Sequence, residues 1–332
     1  MTPSTTLPEE AVPRPREAPA RFEIPLAAGL SVFLLLSFLV VPLVGPLTLP
    51  LASVPMVRLA YRRGISSSLL ALAVMAAALF GLGWATQGSA EALRMALFGG
   101  TIAGLPSVFA AAVRPGRDAS SPFLGLCLAG FGILVGGLFL ESGGRMDVTA
   151  RSIDRAFDEM VSAAAPASPP PLELETQARV KATLAAAREF AKRYWVGLIG
   201  VAWIFGAAIS FYAGAWAARP SASGEQARLE TLRLPAVIVP FFVAAGAVFA
   251  LGPPSWSRVA GNLLWPLVAL YFVGGLSIIC HFARKWFRSR LLRIGLYALV
   301  IYVPINVGVA LLGLFDWYAD FRRRGEGVTK EP

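Results

Sequence analysis

Few side chains in this chain can do chemistry, and they are scattered through apolar sequence. Arg58, Asn262 and Asn306 stand inside or at the start of greasy stretches, and Glu141 and Asp316 close two of them. Ionisable and amide groups at membrane depth are costly to keep, so they are the first residues to examine for a bound solute. Asn262 can equally form hydrogen bonds between helices, worth about 1 kcal/mol in lipid. Asn306, two residues after Pro304, can cover a carbonyl that the proline leaves free. The carboxylates Glu141 and Asp316 are far apart in sequence, and no H-E-x-x-H, G-x-S-x-G or Walker loop accompanies them. The expectation is a protein without an enzymatic centre and without a cofactor. Cys127 and Cys280 lie in apolar runs, and the single histidine, His281, adjoins Cys280 about 100° around a helix. That pair cannot chelate alone, so no metal site is expected.

The elements that must position these residues are long apolar runs. They cover Ile24–Val44, Ser66–Trp84, Ala92–Val113, Pro122–Leu140, Tyr194–Ala218, Leu234–Leu251, Val259–Cys280 and Ile294–Phe315. A helix needs roughly 20 apolar residues to cross a hydrocarbon core about 30 Å thick. Of the 332 residues, 56% are hydrophobic and 15% charged, against about 25% charged in soluble domains. The fold class is therefore all-α: a polytopic transmembrane bundle of about 8–9 spans, in two groups joined by an amphipathic helical hairpin. The divisions are a polar tail over 1–22, a membrane bundle over 23–141, the hairpin over 142–193, a second bundle over 194–318 and a basic tail over 319–332. No cleavable signal segment is expected, because the first apolar run is long for one.

The net charge of +10 is read as topology-setting arginine between spans rather than a nucleic-acid surface. Counting these charges places the N-terminus inside. It leaves one conflict, because Arg322, Arg323 and Arg324 then fall outside. A half-span before residue 64, or a last segment that re-enters at Pro304, would remove it. The stretch from Pro46 to Tyr61, with Pro46, Pro50, Pro55 and Arg58, reads as a short or half span. Such a discontinuous helix either marks a binding site or is a proline-bent helix packed on its neighbours.

In the hairpin, Ile153, Phe157, Met160, Val161 and Ala164 share a helical face. A stiff Pro-rich linker follows over 165–171, then a second amphipathic helix over about 173–192. The pair packs on the bilayer or a partner, or is a solvated connector. Ala202, Gly206, Ser210, Gly214 and Ala218 recur every fourth residue, which suits close helix contact in lipid. Gly100–Gly104 and Gly132–Gly136 repeat that spacing on a smaller scale. Arg284, Lys285 and Arg288, among aromatics, could hold anionic lipid head groups or serve topology alone. The ending pairs Asp316 with Asp320, and Asp320 with Arg324, at i,i+4, as an interfacial ion-pair network or a docking patch.

Three stretches resemble the YybS-like integral membrane family, a bacterial group of unknown function. They are Pro46-Leu-Thr-Leu-Pro50 through Arg58 to Arg62-Arg-Gly64; Leu232-Arg-Leu-Pro235 with Gly261-Asn262 and Leu270-Tyr-Phe-Val-Gly-Gly-Leu-Ser-Ile-Ile279; and Leu312-Gly-Leu-Phe-Asp316-Trp-Tyr-Ala-Asp320-Phe-Arg322. Val273 stands where the family is associated with Gln. The N-terminal half of that family is similar to the substrate-binding components of energy-coupling-factor transporters. The resemblance implies a small-solute-binding bundle in the bacterial cytoplasmic membrane, served by other membrane or ATPase subunits. The small pair Ala27–Ser31 would suit docking on such a subunit. Arg58, Asn262, Tyr271, Asn306 and Asp316 are the residues expected to line the solute site, with a membrane scaffold as the alternative function.

Overall fold

The computed structural model describes residues 20–40, 45–113, 119–141, 151, 153–159, 174–218, 228–300 and 303–322. The described elements are helical. In order they are α1 (Ala20–Val40), α2 (Gly45–Leu51), α3 (Val54–Arg63), α4 (Ile65–Gln87), α5 (Ser89–Gly99), a π turn (Gly100–Gly104), α6 (Leu105–Ala111), α7 (Ser120–Glu141), α8 (Leu174–Ala217), a 3-10 turn (Leu229–Thr231), α9 (Ile238–Leu251), α10 (Pro254–Trp286), α11 (Arg290–Val300) and α12 (Val303–Ala319). The Pro-rich linker over 165–171 lies outside the described residues, as do Met160, Val161 and Ala164.

Among the described residues, five helices have membrane length and apolarity: Ile65–Gln87, Ser89–Ala111, Ser120–Leu140, Ala178–Ala217 and Pro254–Trp286. Phe22–Phe38, Ile238–Leu251 and Ile305–Ala319 are apolar but shorter. Leu128, Leu140, Phe241 and Leu251 are exposed, as are Trp84, Trp216, Trp256, Trp286 and Trp317 near helix ends. Large apolar side chains facing outward in such number suit a lipid solvent, with the indoles at its borders.

Two apolar cores lie inside. One joins α3, α6, α7, α8 and α10 through Tyr61, Phe123, Phe211 and Leu270. The other joins α1, α3 and α4 through Ala28, Met56 and Met75. The short helix α3 serves both, Met56 and Leu59 facing one and Val57, Ala60 and Tyr61 the other. At its end Arg62 and Arg63 each meet Glu23 of α1 at 3.0 Å. Ala27 and Ser31 are buried within the second core. They pack the chain on itself rather than offering a face to another subunit.

The every-fourth-residue stripe on α8 is not one continuous contact. A Cβ on Gly214 would run into Val57 of α3, and the Ser210 hydroxyl donates to the Pro50 carbonyl at 2.7 Å. Gly206, Gly132, Gly136 and Gly100 have nothing within 4 Å of an added Cβ, while Gly104 meets Leu72 at 2.7 Å. The tightest crossing is elsewhere. A Cβ on Gly275 of α10 would collide with the Val309 carbonyl of α12, and one on Gly313 would lie 2.6 Å from the Gly275 nitrogen.

The course of the last helices settles where the ending lies. Arg284, near the end of α10, pairs with Glu230, and Arg322, just past α12, donates to the Glu230 carbonyl at 2.9 Å. Both helices therefore end on the face that carries the 228–235 connection. The intervening α11 has 11 residues, a rise of about 16 Å, roughly half of a hydrocarbon core. Arg322 thus lies beside the 228–235 connection and the end of α10, with Arg233 and Arg284.

Gly313→Leu is expected to force α10 and α12 apart and to lower stability by about 1–3 kcal/mol, read as a lower melting temperature in detergent. Gly206→Ala, where an added Cβ meets nothing within 4 Å, is expected to leave the melting temperature within a degree or two.

Candidate functional site

Three interruptions of the helices are each closed by a polar side chain from elsewhere. The first is the α2–α3 break. The turn at Ala52–Ser53 leaves the Pro50 carbonyl without its helical partner, and it accepts from Ser53 Oγ at 3.1 Å and Ser210 Oγ at 2.7 Å. Arg58 is exposed here, and the cleft it shares with Glu23, Leu26 and Pro55 holds only about 40 Å³. That volume suits one or two waters and not a solute.

The second interruption is in α8, where Tyr194 takes φ −121° and ψ 20°. In an unbroken helix the Gly197 N–H would bond the Arg193 carbonyl. Asn262 of α10 replaces that bond from both sides. Its Oδ1 accepts from Gly197 N–H at 2.9 Å, and its Nδ2 donates to the Arg193 carbonyl at 3.1 Å and to the Arg258 carbonyl at 2.9 Å. Gly197 permits the approach, since a Cβ there would sit 2.9 Å from the Asn262 carbonyl. Before the bend, α8 is mostly exposed and carries the helical segment 153–159. Lys192 meets Asp154 at 2.7 Å, Arg188 pairs with Asp154 and Asp158, and the Arg188 guanidinium lies over the Phe157 ring.

The third is the extended stretch Leu232–Pro235, between the 3-10 turn and α9. Arg322, 4% exposed, donates to the carbonyls of Glu230 and Leu232 at 2.9 and 2.8 Å and to Ser277 Oγ at 2.7 Å. Asp316 lies 3.6 Å from the same guanidinium. Ser277 donates to Leu232 O, and Ser120 accepts from Arg233 N–H at 2.8 Å. Asp320, at φ 39°, ends the helix and reaches Arg233 at 3.8 Å; Arg324 lies outside the described residues. The second and third stretches behind the YybS-like resemblance thus meet in one cluster, through Leu232, Ser277, Asp316 and Arg322. Among the head-group candidates, Arg284 is drawn to Glu230, while Lys285 and Arg288 are exposed beside it.

The remaining candidates line two larger cavities. One, about 620 Å³, lies between α8, α9, α10 and α12 and is walled by Phe205, Phe242, Trp265, Phe272, Ala310 and Leu314, among others. Tyr271 and Asn306 are its polar members. The Tyr271 hydroxyl is buried without a hydrogen-bond partner, a state that costs about 1–3 kcal/mol for a hydroxyl. The other, about 940 Å³, opens at the α8 bend and is lined by Glu189, Lys192, Arg193, Tyr194, Arg258 and Asn262, among others. Asn262 and Asp316 line different cavities, so no acid–amide centre forms between them. Sequence reasoning missed Ser277 and the cavity role of Arg193 and Arg258. A lone serine in an apolar run and two isolated arginines carry no pattern to find.

Comparison with known proteins locates the whole arrangement. The family model DUF2232, described as a predicted membrane protein, matches residues 29–317. The chain belongs to that family. Its matched region takes in α8, α10 and nearly all of α12, and so both larger cavities. No curated protein and no solved structure matches the chain.

Asn262→Leu is expected to remove the bonds to the Gly197 N–H and the Arg193 carbonyl and to cost about 0.5–1.5 kcal/mol for each, seen as a lower melting temperature. Arg322→Lys is expected to recover little of the stability lost in Arg322→Ala, because a lysine cannot reach the carbonyls, Ser277 and Asp316 with one planar fork.

Proposed function

We propose that this protein is a non-enzymatic, multi-pass membrane component that binds a small apolar or amphipathic solute within the bilayer. The observation that carries this reading is the 620 Å³ cavity, within the range of roughly 300–1,000 Å³ found for small-molecule sites. Its walls are aromatic and aliphatic, and it offers two polar groups, the unpartnered Tyr271 hydroxyl and Asn306. A bound molecule with one polar atom at that depth would satisfy the hydroxyl and leave its apolar part among Phe205, Trp265 and Phe272. The YybS-like resemblance supports a transporter-like role in the bacterial cytoplasmic membrane, with other membrane or ATPase subunits as partners. With Ala27 and Ser31 buried, the coupling surface on α1 that the resemblance suggested has little support, and such partners would dock elsewhere.

A second reading, a membrane scaffold or assembly protein, is favoured by the exposed first half of α8. From Leu174 to the bend it would extend about 30 Å, and 153–159 is strapped to it by Arg188 and Lys192. In-cell crosslinking that joins this helix to another protein would support the scaffold.

The solute reading is tested on protein purified from membranes. The wild type is expected to retain a small molecule by native mass spectrometry. Val307→Trp and Ala310→Trp, which fill the cavity from its rim and its wall, are expected to release it. Tyr271→Phe and Asn306→Leu should each weaken retention about 5- to 30-fold, the worth of one buried hydrogen bond of about 1–2 kcal/mol. A protein that carries nothing, and melts unchanged with vitamins, nucleobases, isoprenoids and fatty acids, would overturn the proposal.

A further inference from the structure

The two larger cavities lie along one seam, and the seam is amphipathic. On α10, Arg258 and Asn262 line the polar cavity, and Trp265, Ala269 and Phe272 line the apolar one. These positions advance by four, three, four and three residues, which keeps them on one helix face. On α8, Tyr194 and Val196 line the first cavity, and Val201, Phe205 and Ile209 the second. One ring contact joins the linings of the two cavities. Phe190 of the polar cavity and Trp265 of the apolar cavity meet edge to face, centroids 5.5 Å apart.

The charge of the upper cavity points one way. Lys192 is already engaged by Asp154 and Glu189. Arg193 and Arg258 have no carboxylate within ion-pair distance among the described residues, and Arg193 has only the Tyr194 ring, 5.3 Å from its guanidinium. Two exposed guanidinium groups at the mouth of a cavity are matched to a phosphate. Arg258 stands in the first turns of α10, whose N-terminal end favours negative charge, and Arg193 faces it from the α8 bend. Behind them lies an apolar space with no charged member.

We propose that the bound solute is an anionic phospholipid, its phosphate held by Arg193 and Arg258 at the α8 bend and one acyl chain laid past Phe190 and Trp265 into the cavity beside Tyr271. This rests on the solute reading above and adds the class of ligand and the residues that select its head. Asn262 then acts as a positioning residue: by bridging Arg193 and Gly197 it holds the bend that carries Arg193 over the polar cavity.

The test uses the full-length protein in detergent micelles doped with dioleoyl phosphatidylglycerol, dioleoyl phosphatidylcholine or dioleoylglycerol, so that the chains are constant and the head varies. Bound lipid is read by native mass spectrometry. The wild type is expected to retain phosphatidylglycerol at least tenfold over dioleoylglycerol, with phosphatidylcholine between them. Arg193→Gln/Arg258→Gln should bring phosphatidylglycerol down to the level of dioleoylglycerol without changing the latter, and Arg193→Lys/Arg258→Lys should restore most of the preference. Equal retention of the three lipids by the wild type, or a preference untouched by the double Gln variant, would overturn the head-group assignment while leaving the cavity reading in place. Val307→Trp and Ala310→Trp that leave all lipid retention intact would overturn both. Melting temperatures of each variant separate lost binding from lost fold.

Discussion

Backbone groups freed within lipid must be satisfied by protein, and this architecture follows from how that demand is met at three places. A continuous helix satisfies itself. This chain is not continuous: α2 and α3 are separated by a break, α8 bends at Tyr194, and Leu232–Pro235 is extended. At each place a side chain from a distant helix supplies the missing bonds. Ser210 serves Pro50, Asn262 serves Gly197 and Arg193, and Arg322 serves Glu230 and Leu232. With little hydrophobic drive between helices in lipid, such bonds and close backbone packing carry the association.

That use of side chains bears on function. A side chain fully used by backbone has little left for a solute, which sets Asn262 and Arg322 apart from Tyr271 and Asn306. The Tyr271 hydroxyl is the reverse case, a buried donor with no partner, on the wall of the apolar cavity. The same distinction separates Lys192, held by Asp154 and Glu189, from Arg193 and Arg258 beside it. The irregular α2–α3 segment, where discontinuous helices suggest a site, instead encloses only a small cleft next to Arg58. Its proline-bent backbone is closed by two serine hydroxyls, and the larger spaces open where α8 bends and where α12 crosses α10.

The crossing of α10 and α12 shows what packing adds to charge counting. The arginines after residue 320 conflict with an ending placed outside, and both a half-span early in the chain and a re-entrant segment late in it would remove the conflict. The glycines at 275 and 313 let the two helices touch backbone to backbone. Arg322 then reaches the same connection that Arg284 reaches from α10. The two helix ends therefore share one connection, with the 11-residue α11 between them in sequence.

Much of this was legible in the residues themselves. Apolar length and the scarcity of charge determine that the chain is helical and membrane-embedded, because a bilayer demands about 20 apolar residues and internal hydrogen bonding from whatever crosses it. Prolines at 46, 50 and 55 mark the early break for the same local reason. What the sequence could not decide are the pairings across distance. Asn262 lies 65 residues from Gly197, Ser210 lies 160 from Pro50, and Arg322 lies 90 from Leu232. Nor could an i,i+4 pattern of small residues say that Gly214 meets Val57 while Gly206 meets nothing. Periodicity reports which face of a helix a residue occupies, and only the tertiary arrangement puts a neighbour, a cavity or lipid against that face.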